Sequence, residues 1–390
     1  MPLPTAYPND THVRIRGTSP HPIDLHVRTY GQPSDPAIML VNGIGANKES
    51  TPEKSFYQAL AARKFFVVTF SNRDSGGSTK MSHLPTRSML TTLGLAALAG
   101  VALPTAFLTL LVFCLCNRHL PGANHTAAAI LATCVGFKAS GGQTLPKLFS
   151  LTPVYTLNDV AEDIVLLMDQ MQFPQAHIMG GSMGGMLAQI AVVNYPDRFL
   201  SLASVMSNTG ANSILGLPDY PLSTLFYLYL THPMSHPAEN DLEGTIAYEA
   251  ENIEFQLSKE KLKQATWNQG LTVLEEAKRR HAAHTLHDTT QSRKKSMSRQ
   301  MDGIAWQQGH RAAQLSTIRI PTIVVHGMDD KLIPVASGLD TAKAIGFPAC
   351  RKVVLIPGCG HSLDDVFAHD CVEAIVENCM FAERLKFSKL

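Results

Sequence analysis

An excess of charge of either sign is what this sequence lacks. Lysine and arginine total 33 against 32 aspartates and glutamates, a net charge of +1, and so even a balance leaves no broad field to attract nucleic acid or an acidic lipid surface. Cysteine is scarce. The seven present are scattered apart from Cys114 and Cys116, with neither a zinc-ligand spacing nor the density of a disulfide framework. The opening MPLPTAYPND carries no basic n-region and no apolar h-region, so no secretory signal is read there. No internal repeat is visible. These gaps describe an intracellular protein with no metal and no nucleic-acid partner.

Apolar residues are plentiful, at 45% of the chain against 17% charged, enough for a large buried core. A chain of 390 residues is long on a prior of about 100–200 residues per domain, although large α/β domains exceed it. The basic run Lys278, Arg279 and Arg280 and the cluster Arg293, Lys294, Lys295 and Arg299 read as solvated helix faces.

Short apolar runs alternate with helical patterns, the sequence form of a mostly parallel sheet flanked by helices. DLHVRTYG alternates at period two; AIMLVNG and FFVVTFSNRDSGGS read as buried strands ending in loops. Between Asn158 and Met171, Val160, Ile164, Leu167 and Met171 recur at helical spacing. AHIMGG then reads as strand into turn and SMGGMLAQIAVVNYP as helix, while FLSLASVMSNTG, TIVVHGMDD and KVVLIPGCGH give three later strands. Two stretches break this rhythm: 210–318, which reads as helices separated by loops, and 82–152.

Gly180-Gly181-Ser182-Met183-Gly184 sits between a strand and a helix and fits the G-x-S-x-G pattern of a nucleophile elbow. The turn strains the serine backbone, and side chains at Gly180 and Gly184 would collide across it. A serine hydroxyl needs a general base, and the base an orienting acid. Asp330 follows one apolar strand and His361 the next, each at the C-terminal end where open parallel sheets carry their sites. Asp329 competes with Asp330, which is preferred because G-x-x-D-x-x-x-P runs from Gly327 to Pro334. A developing oxyanion needs donors, and the backbone N–H groups of Met183 and, within NGIG, Ile44 are the candidates. A glycine turn, a loop aspartate and a core histidine each have an ordinary structural explanation alone. Their order on successive strand ends makes Ser182 a nucleophile.

On these residues the chain resembles the α/β-hydrolase superfamily. NRDSGGST, YTLNDVAEDIVLLMD, AHIMGGSMGGMLAQIAVVNYPDRFLSL, RIPTIVVHGMDDKLIP and IPGCGHS resemble the capped esterase group that includes aclacinomycin methylesterase. The resemblance implies a Ser182–His361–Asp330 triad, a core of 1–209 and 319–390 interrupted by the 82–152 insertion, and a helical cap at 210–318. It also implies hydrolysis of a carboxylic ester or thioester of a small molecule without cofactor. GGSMGGM is also similar to homoserine O-acetyltransferases, so an acyltransferase is the second reading; a catalytically dead binding module is the third. Where relatives often carry His-Gly before the oxyanion loop, this chain has Asn42-Gly43, and how the amide fixes the loop is left open.

From Met89 to Cys116 the sequence runs 28 residues without a charge, more than the roughly 20 apolar residues that span a bilayer. A second run, 126–137, is too short to span. One crossing would separate the first strands from the elbow, and Pro104 favours two shorter helices. A lid helix pair against the cap is therefore preferred to a hairpin dipping into one leaflet, and both to a true span. Either of the first two would shape an entrance for a hydrophobic substrate. Cys114 and Cys116 read as buried bystanders rather than acylation sites. Ser388-Lys389-Leu390 matches a peroxisomal address read by an import receptor, and ERLKFSKL is read as fraying into solvent beyond the last helix. The expected location is the matrix of a peroxisome or glycosome, with a cytoplasmic or membrane-associated protein as the alternative.

Overall fold

Five-residue apolar runs set the centre of the molecule. AIMLV (β3, Ala37–Val41) and FVVTF (β4, Phe66–Phe70) are buried at every position, as strands covered on both faces must be. The computed structural model describes residues 10–16, 22–46, 54–81, 153–210, 241–257, 271–285, 289–307, 311–362 and 365–388. Its other strands are β1 (Asp10–Ile15), β2 (Ile23–Tyr30), β5 (Ala176–Gly181), β6 (Phe199–Val205), β7 (Thr322–Gly327) and β8 (Cys350–Ile356). They form one eight-stranded sheet in the order β1-β2-β4-β3-β5-β6-β7-β8. β2 pairs antiparallel with β1 and β4, and every pair from β4 to β8 is parallel.

Period-two alternation divides the core. Ile38 and Leu40 face one layer with Phe56 and Leu60 of α1 (Lys54–Ala62) and with Val372 and Ile375 of α9 (Asp365–Phe387). Met39 and Val41 face the other with Ile164 of α2 (Leu157–Gln170), Leu187 of α3 (Met183–Asn194) and Ile345 of α8 (Val335–Ile345). α2 starts where Thr156 and Asp159 form a capping box. α3 is buried from Met183 to Val192, so it stands behind the sheet centre and fixes the turn before it.

Within 210–318 the described residues form α4 (Leu242–Gln256), α5 (Val273–Thr285), α6 (Thr290–Trp306) and α7 (Arg311–Leu315). The 82–152 insertion, with both apolar runs, lies outside the described residues, as do 211–240. No described helix is long and apolar enough to cross a membrane.

Two expectations are corrected. The basic clusters are not simply solvated faces. Fully buried Glu276 accepts from Arg279 at 2.7 and 2.8 Å and from Arg280 at 2.8 Å, and Arg299 is itself buried. Lys295 is exposed. The tail segment does not follow the last helix: α9 continues through it to Phe387, with Arg384, Lys386 and Ser388 exposed. Lys389 and Leu390 lie outside the described residues.

Candidate active site

Because β3 and β5 to β8 run in parallel, the loops that leave them open on one edge of the sheet. Ser182 sits on the turn from β5 into α3 with φ 56° and ψ −125°. That left-handed φ is strained for a side chain larger than glycine. It is held by close approach on both sides. A Cβ on Gly180 would lie 2.0 Å from the Gly184 carbonyl oxygen, and one on Gly184 2.0 Å from that of Val41. The Ser182 N–H donates to the Val205 carbonyl at 2.9 Å, and its carbonyl accepts from the Ser207 hydroxyl at 2.8 Å. Ser182 is half-buried.

Asp330 and His361 meet across the loops after β7 and β8. His361 Nδ1 lies 2.7 Å from Asp330 Oδ2. Asp330 Oδ1 accepts the backbone N–H groups of Leu332 at 2.9 Å and Ile333 at 2.8 Å. Burial alone would raise the Asp330 pKa, but the His361 charge and the hydrogen bonds from His326 and His361 outweigh it and hold the carboxyl at about 2. Asp329, the competing acid, is exposed.

His326 was not singled out in the sequence. It is fully buried on β7, its Nε2 2.8 Å from the Ile333 carbonyl and 3.4 Å from Asp330 Oδ2. It therefore braces the loop from below. Its signal was only its place four residues before Asp330, at the end of an apolar strand.

The NGIG loop leaves β3 beside the serine: a Cβ on Gly43 would lie 3.4 Å from that of Ser182. Asn42 answers the departure from His-Gly. Its side-chain amide donates to the Phe70 carbonyl at the end of β4 at 2.6 Å, and its carbonyl accepts from the Asn72 amide at 3.0 Å. The amide thus pins the loop to the neighbouring strand. The N–H of Met183 stands at the first turn of α3, where the helix dipole is positive; the N–H of Ile44 belongs to the loop opposite. Neither amide has a backbone acceptor among the described residues.

The helices of 210–318 reach this edge. The His361 N–H donates to the Gln256 carbonyl at the end of α4 at 2.7 Å. Arg299 of α6 makes a two-pronged pair with Asp74 in the loop after β4, at 2.6 and 2.8 Å, both side chains at most 2% exposed. Arg311 of α7 is buried with neutral acceptors, Gln189 at 2.9 Å and Asn208 at 3.0 Å; burial pushes its pKa down to about 9. Removing one partner of a buried pair strands the other's charge. Arg299→Met is therefore expected to lower the unfolding free energy by about 3–5 kcal/mol, measured by urea denaturation; a loss below about 1 kcal/mol, typical of an exposed pair, would sink this account.

Among the described residues no group of three or more His, Cys, Asp or Glu side chains stands close enough to hold a metal ion. What the arrangement offers is a half-buried hydroxyl, an imidazole tied to a carboxylate, and two backbone amides on the loops after β3 and β5.

The model of the α/β-hydrolase fold matches residues 36–364. The chain belongs to that family. It is 26% identical over 196 residues to a 2-hydroxy-6-oxo-6-phenylhexa-2,4-dienoate hydrolase of Comamonas testosteroni, covering 50% of this chain and 59% of that one. It is 25% identical over 235 residues to the rhodomycin D methylesterase DnrP of Streptomyces peucetius, covering 57% and 55%. The chain thus spans little more than half the length of these relatives. An enol-lactonase structure from Burkholderia xenovorans LB400 superposes with a TM-score of 0.56 at 15% identity, over 95% of this chain and 100% of that one, a likeness of fold.

Proposed function

We propose that this protein is a serine hydrolase that cleaves a carboxylic ester or thioester of a hydrophobic small molecule. The observation that carries the reading is Ser182 at φ 56° on the strand–helix turn, with His361 Nδ1 2.7 Å from the buried Asp330 carboxylate on the same sheet edge. In this reading His361 Nε2 takes the Ser182 proton as Oγ attacks the carbonyl carbon. Asp330 keeps the proton on Nδ1 and stabilises the imidazolium. The carbonyl oxygen becomes an oxyanion that accepts from the N–H groups of Ile44 and Met183. Its collapse expels the alcohol or thiol, which takes the proton from His361. Water then repeats the sequence on the acyl-serine and releases the acid. The helices of 210–318 act as a cap, and 89–116 supports the hydrophobic substrate class by its lack of charge. A methylesterase and a dienoate hydrolase among the relatives support hydrolysis over transfer.

The test is a series of p-nitrophenyl esters of increasing acyl length, with fluorophosphonate labelling alongside. Labelling at Ser182 and a kcat/KM that rises with chain length are expected. An unlabelled protein would be a binding module. A preference for the shortest acyl groups would remove the hydrophobic substrate, and acetyl-CoA consumption with an alcohol acceptor would make the enzyme a transferase.

A further inference from the structure

The oxyanion loop is held from outside. Residues 43–46 form a tight turn closed only by a long hydrogen bond, Ala46 N–H to the Gly43 carbonyl at 3.4 Å. Gly45 takes φ 63°, and a Cβ there would lie 2.8 Å from Met297 of α6. The Gly45 N–H donates to Gln300 Oε1 at 2.9 Å, and the Gln300 amide nitrogen in turn donates to Ser75 Oγ at 2.8 Å. Ser296 Oγ donates to the Asp74 carbonyl. Arg293, Ser296, Met297 and Gln300 stand at i, i+3, i+4 and i+7, so one face of α6 grips both the turn and the loop after β4. Gln300 is 2% exposed. A buried side chain with both amide ends engaged is fixed in one orientation, and so is the amide it receives.

We infer that Gln300 is a positioning residue: by accepting the Gly45 N–H it holds the turn in which the neighbouring Ile44 N–H is aimed at the oxyanion. The inference rests on the serine-hydrolase reading above. It makes α6 part of the acyl-transfer machinery as well as a cover, and it predicts that Gln300 acts on the transition state more than on substrate binding.

The experiment compares three full-length variants on p-nitrophenyl esters. Gln300→Met keeps the length and removes the acceptor; kcat is expected to fall about 10- to 100-fold, the scale of a displaced donor, while KM changes little. Gln300→Glu keeps an oxygen for the Gly45 N–H and is expected to restore most of the loss. Ser75→Ala loosens only the far end of the side chain, where the Ser296 hydroxyl remains at 3.5 Å, and is expected to lower kcat less than Gln300→Met does. Hydrogen exchange at the Gly45 amide gives a readout independent of turnover: fast in Gln300→Met, slow in Gln300→Glu. A purely structural role would lower the melting temperature and leave kcat of the folded fraction unchanged. Wild-type kcat in folded Gln300→Met, or no rescue by Gln300→Glu, overturns the inference. A wild-type protein that neither turns over esters nor takes the fluorophosphonate fails the serine reading itself, by a signal in which Gln300 has no part.

Discussion

Ser182→Ala is expected to cut kcat by about 10⁴- to 10⁶-fold, the range seen when a nucleophile that acts in concert with its base is removed. The magnitude follows from what remains. Two backbone amides and a bound substrate still favour attack by water, but no covalent intermediate forms and His361 has no hydroxyl to deprotonate. Alanine is smaller than serine and keeps the same Cβ, so the φ of 56° is no harder to adopt. The variant should melt within a degree or two of wild type. KM should change little, because the missing interaction is made in the transition state. Turnover equal to wild type would remove Ser182 from the mechanism.

Asp330→Asn is expected to lower kcat by about 10⁴-fold, because an amide at that position favours the imidazole tautomer with its proton on the wrong nitrogen. Asp329→Asn should leave kcat unaltered, since that side chain is exposed and the His361 ring is paired with Asp330. The same carboxylate contributes to acid stability. Its folded pKa of about 2 lies below the ordinary 3.8, so the stabilisation, on the order of 2 kcal/mol, is complete above the unfolded value and disappears as pH falls through the folded one. In Asp330→Asn that part of the pH dependence of unfolding between about pH 4 and 2 should vanish. Equal losses in the two asparagine variants would overturn the assignment of the acid.

The sheet was legible wherever burial is complete on both faces. AIMLV and FVVTF are continuous apolar runs, and AHIMGG ends in the glycines that the elbow requires. β1 was not legible: DTHVRI buries fully only Ile15 and exposes alternate polar residues at the sheet edge. Asp330 was separable from Asp329 by its spacing to Gly327 and Pro334, and it is the carboxylate that lies 2.7 Å from His361 Nδ1. α6 gave the opposite lesson. Its buried face is polar, with Ser296, Arg299 and Gln300 bonded to partners more than 200 positions away. Apolar periodicity cannot detect a face that is satisfied by hydrogen bonds, and it assigns such a face to water.

Asp74 has a bearing on the residues between 81 and 155. Its Oδ1 accepts the Met81 N–H at 2.9 Å, and its Oδ2 accepts the Tyr155 hydroxyl at 3.2 Å. The chain therefore departs from the core and rejoins it at a single carboxylate. Those junctions act as a socket that holds the two ends of the intervening segment at one point beside the sheet. Loop-closure entropy rises only with the logarithm of length, so a long excursion there burdens the core little more than a short one.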